Sequence, residues 1–387
     1  MRHRTTPARP HVLLLNWRDT GHPDGGGSEV YLEHVADGLA ALGRDVTLLT
    51  ARYAGSAAHE VRPSGVRVVR VGGRLGVYPL AALTVLLRRI PRPDVVIETQ
   101  NGMPYLAALW ARRTPHAVLV HHVHREQWPV VFPPRVARAG WWIESRLAPS
   151  VNRHRPYVTV SELSRAELVD LGVRADQIRV VHNGVLPPPA QDVGRTLHPQ
   201  LLVLGRLVPH KRVEIALSVV ERLRPEFPGL RLVVAGRGWW EDELRREVDE
   251  RGLAEAVDLR GFVSDEERHR LYASSWVSLV PSLKEGWGLV VVEAGLHETP
   301  SVAFDGAGGV TESIIDGTTG LLARRDDVDH FVALTRELLL DEGRRTDMGL
   351  KAAAFASQFT WPETVAGFDA LVTELLAQPR AGRGRSR

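Results

Sequence analysis

The stretch WVSLVPSLKEGWGLVVVEAGLHETPSVAFDG, Trp276 to Gly306, decides the fold. It opens and closes on short apolar runs, WVSLVPS and PSVAFDG, that read as neighbouring parallel strands. A parallel pair needs a crossover, usually a helix, so Gly288 to Glu298 is expected to be helical. The three consecutive valines inside it are poor helix formers, because β-branched side chains lose χ1 freedom there. Packing of those valines on the sheet is expected to override the propensity.

The same rhythm extends in both directions. Upstream, HVLLLNW, DVTLLTA, VRVVRV, DVVIETQ, AVLVHHVH, YVTVS and IRVVHNG read as strands, separated by longer helical patterns. VLPPPAQDVGRTLHPQ, Val185 to Gln200, carries four prolines and reads as a linker. The alternation then restarts with LLVLGRL, RLVVAGRG and VDLRGFV, continues through WVSLVPS and PSVAFDG, and ends on GLLAR. Continuously apolar runs fit strands covered on both faces. Ser264 with Glu267 and Ser164 with Glu167 fit capping boxes at helix starts. The fold class is therefore α/β, with two Rossmann-like domains whose parallel sheets face each other across a cleft. The expected boundaries are an N-terminal domain over 1–185, a linker over 186–199 and a C-terminal domain over 200–360. A C-terminal helix over 361–378 is expected to cross back to the first domain, followed by a basic disordered tail over 379–387.

Composition agrees and excludes other classes. The chain has 387 residues, 44% apolar and 25% charged, ordinary for a globular protein large enough for two cores. With no cysteine, disulfides and thiolate metal sites are ruled out. The N-terminus lacks a signal-peptide pattern. The most apolar later stretch, LGVYPLAALTVLLRRI, is broken by Pro79, ends on Arg88 and Arg89, and is shorter than the roughly 20 residues of a membrane span. Leu75 to Arg92 reads either as a packed helix or as an interfacial one. Basic residues are scattered apart from the tail RAGRGRSR, so nucleic-acid binding is not expected; arginine supplies nearly all of them, the lysines being Lys211, Lys284 and Lys351.

Three segments carry chemistry. The helix expected after EGWG presents free backbone N–H groups and the positive end of a dipole, a ready anion site, and Gly286 and Gly288 let the backbone come close. Eight helical residues rise about 12 Å, roughly the span between the two rings of a sugar nucleotide across its diphosphate. Glu285 is thereby placed for the sugar hydroxyls and Glu293 for the ribose, although the spacing alone is met equally by two solvated glutamates. In LVLGRLVPHKR, Leu202 to Arg212, Arg206 and Lys211 follow a strand and offer a fork and a point charge to phosphate oxygens. Fixed cations facing a departing diphosphate supply electrostatic catalysis. PDGGGSEVYLEHVADGLAALG, Pro23 to Gly43, is a glycine-rich turn entering an amphipathic helix, and matches neither the P-loop nor the dinucleotide fingerprint.

Together GGGSEVY, VVHNGV, LGRLVPHKR, LRGFVSDEERHRLYASSWVSLVPS, EGWGLVVVEA and TPSVAFDGAGGVTESIIDGTTGLL resemble the GT-B, family 4 retaining glycosyltransferases (glycosyl transferases group 1) over nearly the whole chain. The resemblance implies transfer of a hexose-type sugar from a UDP-, GDP- or dTDP-sugar to a hydroxyl of a small-molecule, glycan or lipid-linked acceptor. It places the protein in cell-envelope glycan, glycolipid or secondary-metabolite synthesis, with no metal required. Position by position it implies that Arg206 and Lys211 hold the diphosphate, Glu285 the transferred sugar and Glu293 the ribose. Gly286 and the amides of Trp287, Gly288 and Leu289 face phosphates and sugar, Phe262 and Val263 lie against the base, and Gly26 and Gly27 form the first loop. The family histidine is expected to be His124, nearest the strand's carboxyl end, with His122 and His121 as alternates. Arg237 and Trp239 in GRGWW, and Leu186 after VVHNGV, depart from the family pattern. The tryptophans Trp110, Trp128, Trp141 and Trp142 lie where acceptors bind in this fold, for stacking or for ordinary packing. A cytoplasmic location, extending to peripheral contact with the inner membrane face, is implied. A nucleotide-sugar hydrolase or epimerase, or a noncatalytic nucleotide-sugar-binding subunit, would use the same cleft.

Overall fold

The computed structural model describes residues 9–23, 25–189 and 193–378; the basic tail and part of the linker lie outside them. Eight strands form the first sheet: β1 (His11–Leu15), β2 (Asp45–Ala51), β3 (His59–Val61), β4 (Arg67–Val71), β5 (Val95–Thr99), β6 (His116–Val120), β7 (Tyr157–Thr159) and β8 (Ile178–Val180). They run in the order β3-β4-β2-β1-β5-β6-β7-β8, parallel except for the β3/β4 pair. The second sheet holds β9 (Gln200–Leu204), β10 (Arg231–Ala235), β11 (Val257–Gly261), β12 (Val277–Val280), β13 (Ser301–Phe304) and β14 (Gly320–Ala323). Its order is β11-β10-β9-β12-β13-β14, parallel throughout. Strand order reverses between β1 and β5 and again between β9 and β12. Such switch points leave a crevice beyond the strands' carboxyl ends.

Every apolar run read as a strand contains one. The strand missed by that reading is β3, three exposed residues without an apolar alternation, paired antiparallel on the sheet edge. β1, β5 and β6 are buried along their whole length, as strands covered by helices on both faces require.

The triple valine is helical, within Leu289–Leu296, between the parallel strands β12 and β13. The helix is shorter than expected at both ends: Gly288 takes a left-handed φ of 79° and caps its start, and His297 closes it ahead of a left-handed Glu298, φ 57°. Only the last four of the eight steps from Glu285 to Glu293 are therefore helical, and the 12 Å estimate does not apply. Val291 packs in the core of the second domain, whereas Val292 packs with Trp361 and Ala356 in the core of the first. The Ser264 cap forms, its hydroxyl accepting from the Glu267 N–H. The other helix begins three residues earlier than expected: Ser161 is the cap and Ser164 donates its N–H to it. An extended Ser161 at the end of β7 is better placed to cap than a residue already inside the first turn.

The chain crosses between the sheets twice, side by side. Val185 bridges Thr360, and a Cβ on Gly184 would fall 2.4 Å from the Trp361 nitrogen, so only glycine fits there. The helix Trp361–Ala377 then packs Phe368, Leu371, Val372 and Leu375 against Tyr31, Leu32 and Val35 of the helix Gly27–Ala41.

Candidate functional site

The carboxyl ends of β1, β6, β9 and β12 meet at the crevice, and each contributes a segment. Beyond β9 the chain makes a short helical turn, Pro209–Lys211, and Arg212 adopts a left-handed φ of 50° before the next helix. That turn aims the Lys211 ammonium at Glu285 Oε1, 2.5 Å away. Ser282 Oγ donates to the same oxygen at 2.7 Å. Glu285 is fixed from behind as well: its N–H donates to the Ala307 carbonyl, and its own carbonyl accepts from the Gly309 N–H. One cavity is lined by Gly205, Arg206, Lys211, Ser282, Glu285 and Val290, which joins the cationic pair, the acid and the first turn of the Leu289–Leu296 helix.

The electrostatics follow from that packing. Burial alone would raise the Glu285 carboxyl, but the Lys211 charge and the hydrogen bonds from Lys211 and Ser282 outweigh it and hold it below its ordinary value. His210 is pushed down to about 3 by burial, with the Lys211 and Arg206 charges adding to it, so it is neutral at pH 7. Glu293 is raised by burial, opposed by Arg268 and by the Tyr272 hydroxyl, which donates to Oε2 at 2.9 Å.

The first domain closes the other wall. Gly26 caps the Gly27–Ala41 helix, its N–H donating to Glu29 Oε2 at 2.7 Å. A Cβ on Gly26 would lie 3.0 Å from Arg206 Nε, and one on Gly27 would lie 3.7 Å from a Leu289 methyl. Backbone of the first glycine loop therefore reaches both the cation and the helix start.

Two family descriptions match the chain: "Glycosyl transferase 4-like domain" over residues 26–184 and "Glycosyl transferases group 1" over residues 194–355. The chain belongs to the family 4 glycosyltransferases. Glycogen synthase of Mycobacterium tuberculosis is 27% identical to it over 397 residues, covering 92% of each chain. The MMP alpha-(1->4)-mannosyltransferase of Mycolicibacterium hassiacum is 28% identical over 418 residues, covering 95% of this chain and 99% of its own. Among solved structures, sucrose-phosphate synthase from Thermosynechococcus elongatus superposes with a TM-score of 0.82 at 18% identity, covering 95% of this chain and all of that one. Anabaena HepE in complex with UDP-glucose gives 0.74 at 19% identity, covering 94% and 99%. At such identity these two are likenesses of fold, and the fold is GT-B.

Within this glycosyltransferase the expected site residues divide into groups. Arg206, Lys211 and Glu285 line one cavity, with Gly26 and Leu289 beside it. Phe262 and Val263 stand at the end of β11. Phe262 is exposed, with the Arg237 guanidinium 5.5 Å from its ring centre. The Trp287 side chain turns away from this cavity. It is 4% exposed, packs in the core of the first domain, and lies 4.4 Å from the His182 ring and 5.0 Å from Phe359. Gly286 has no space for a side chain, since a Cβ would meet the His121 carbonyl at 2.7 Å.

The histidine run is not a strand to its end, because β6 stops at Val120. His122 and His124 still share a side, with ring centres 4.2 Å apart. His124 Nδ1 and its backbone N–H both meet Glu144 Oε1, at 2.9 and 3.1 Å, so the favoured histidine is oriented by a fully buried acid. His122 contacts Gln127 at 3.1 Å and is driven well below its ordinary value by burial and by His124. His121, lowered to about 4 chiefly by burial, sits edge-on to Tyr31. Of the tryptophans, Trp128 is buried with its Nε1 donating to Glu144 Oε2 at 2.6 Å, whereas Trp142 is exposed.

Sequence reasoning missed four side chains here. Ser282 and Glu144 orient Glu285 and His124. Lys284 is buried and ion-paired with Glu126 at 3.0 Å and with Glu167, both in the first domain. Glu312, from the second domain, accepts the backbone N–H groups of Glu162 and Leu163 at a helix start in the first. The signal for Lys284 was its rarity: it is one of three lysines, and two of those three are ion-paired at this cleft. Among the described residues, no three His, Asp or Glu side chains are grouped to hold a metal ion, and no helix is long and apolar enough to cross a membrane.

Proposed function

We propose that this glycosyltransferase moves a hexose-type sugar from a nucleoside diphosphate sugar to an acceptor hydroxyl, with retention of anomeric configuration and without a metal ion. The observation that carries the reading is the single cavity holding Arg206, Lys211, Ser282, Glu285 and the start of the Leu289–Leu296 helix. Two cations and a helix N-terminus can neutralise a diphosphate without a divalent ion. Lys211 is paired with Glu285. An arriving diphosphate competes for that ammonium and frees the carboxylate for the sugar hydroxyls. Glu293 then serves the ribose, and Phe262 and Val263 the base. His124, held by Glu144, faces the sugar.

In the reaction the bond between the anomeric carbon and the β-phosphate oxygen breaks, and its electron pair stays with the phosphate. The acceptor oxygen bonds the anomeric carbon on the same face, and its proton passes to the departing phosphate oxygen. The protein contributes orientation and fixed charge rather than a covalent nucleophile. UDP-glucose in the Anabaena structure supports a uridine donor, and the Mycolicibacterium mannosyltransferase leaves room for a sugar other than glucose. The acceptor is a small-molecule, glycan or lipid-linked hydroxyl, met in the cytoplasm or at the inner membrane face.

Thermal shift with UDP, GDP, dTDP and their sugars tests the donor. A ligand at about 100 times its Kd adds about 2.7 kcal/mol of stability by linkage. Turnover with the stabilising donor and a set of acceptors tests the transfer. Stabilisation by no nucleotide overturns the reading, and release of free sugar or epimer from the donor in place of transfer assigns the cleft to hydrolysis or epimerisation.

A further inference from the structure

The helix Val77–Leu86 buries one stripe, Val77, Ala81 and Thr84, against the first sheet. Its opposite side, where charged residues normally meet water, carries leucines. Leu80, Leu83, Leu86 and Leu87 are all exposed, Leu87 by 59%, and Leu75 just before the helix by 72%. The spacing of three and four residues gathers Leu80, Leu83, Leu86 and Leu87 into one ridge about 10 Å long.

Along the segment that holds this ridge the charges have one sign. From residue 61 to residue 93 there is no aspartate or glutamate, and there are seven arginines. Arg62, Arg67 and Arg70 are ion-paired with acids of neighbouring elements. Arg74 at one end of the ridge and Arg88 and Arg89 at the other are exposed and form no ion pair among the described residues. Arg88 also closes the helix in a left-handed conformation, φ 54°, with its N–H on the Val85 carbonyl and the Arg89 N–H on Thr84. Glycine is the usual occupant of that cap, and a long cationic side chain there is strained, with no ion pair among the described residues to offset it.

We propose that this ridge docks on an anionic phospholipid bilayer, the leucines entering the acyl boundary and Arg88 and Arg89 meeting lipid phosphates. Charge complementarity selects the occupant: a second copy would set arginines against arginines, whereas an anionic lipid surface answers both the apolar ridge and its unpaired cations. The helix starts just beyond the carboxyl end of β4, on the cleft side of the sheet, and the Arg74 guanidinium lies 5.8 Å from the Phe132 ring centre. A docked bilayer therefore lies beside the mouth of the crevice. The inference deepens the acceptor reading and rests on its lipid-linked arm.

The test is co-sedimentation of the full chain with vesicles of equal parts phosphatidylglycerol and phosphatidylcholine, against pure phosphatidylcholine. The expected result is binding to the anionic vesicles, reduced at least about tenfold by Leu83→Ser with Leu87→Ser. Should that pair disturb folding, Arg88→Gln with Arg89→Gln, both fully outside the core, is expected to give the same loss. Sugar-nucleotide stabilisation and turnover on a soluble acceptor stay at wild-type level in both, which separates failure of this proposal from failure of the transfer reading. Absence of binding to anionic vesicles overturns the proposal. So does binding that survives both variants, which the basic C-terminal tail would then explain, or a wild-type dimer made monomeric by the leucine pair.

Discussion

Replacing Lys284 by methionine keeps the length of the side chain and removes its charge. In the wild type that ammonium is 6% exposed and sits between Glu126 and Glu167. The variant leaves two carboxylates sharing one site without a cation. Breaking a buried ion pair by deleting one partner costs about 3–5 kcal/mol. Here the carboxylates are 30% and 32% exposed, so water solvates part of each, and about 2 kcal/mol is the expected loss. With a urea m-value of about 2–3 kcal/mol/M, the unfolding midpoint falls by roughly 0.7–1 M. Adding Glu126→Gln and Glu167→Gln to the variant removes the uncompensated charges and is expected to recover at least half of that loss. The pH dependence has a definite sign. Burial opposes ionisation at Glu126, but Lys284 outweighs it and lowers this carboxyl, so the contribution exists above the unfolded value of 4.5 and is lost as pH falls through the lower folded one. At Glu167 burial wins and raises the carboxyl, so its own ionisation detracts from stability as pH rises through that range. The gap between wild type and Lys284→Met therefore closes as pH drops below the carboxylate range. An unchanged midpoint in Lys284→Met at pH 7, or a triple variant no more stable than the single one, refutes the reasoning.

Three further outcomes are expected. Glu285→Gln and Lys211→Ala each lower kcat about 10²–10³-fold while circular dichroism stays native, the scale for losing one electrostatic contact to the transition state; wild-type turnover in both removes them from the site. Trp287→Ala costs about 3–5 kcal/mol in urea unfolding, because its ring fills the core of the first domain; a loss under about 1 kcal/mol would mean the ring is not seated there. Glu98, fully buried, is raised to about 7 by burial despite accepting from the Ala107 N–H and from Asn152. Its contribution is complete below the unfolded value of 4.5 and is lost as pH rises to about 7, about 3 kcal/mol over that window. Glu98→Gln is less stable at acid pH, since it sets a donor against a donor, but its stability does not carry this decline, which paired denaturation curves at pH 4.5 and 7 will check.

Much of this molecule is local in origin and so was legible. The buried runs of β1 and β9, the proline-rich crossing and the forced crossover through three valines all declare themselves within about ten residues. Arg206, Lys211 and Glu285 were legible for a different reason: their residue types suit a diphosphate, and they follow strands whose carboxyl ends must converge. The direction of Trp287 was not legible. The expectation for Trp287 concerned its amide and said nothing of its ring, which is spent on packing against His182 and Phe359. The partners of Lys284 were equally hidden, since Glu126 and Glu167 lie 158 and 117 residues away and no periodicity encodes such pairs. The ends of the Leu289–Leu296 helix were misjudged because Gly288 and Glu298 both turn left-handed, and only the glycine signals such a turn by its residue type.

The residues flanking Glu285 tie its chemistry to the position of the two domains. Lys284 and Trp287 both plant their side chains in the first domain, and Gly286 presses on the His121 carbonyl, so Glu285 is the one member of this turn that points to Lys211. The chain crosses between domains at the Val185–Thr360 bridge, and Phe359, next to that bridge, is in contact with Trp287. The ion pairs of Lys284 with Glu126 and Glu167 reach from one domain to the other, so any separation of the two domains has to break them. They stand one residue from Glu285, and Trp287 is anchored two residues beyond it, so the turn that carries the acid is tied to the first domain through its neighbours on both sides.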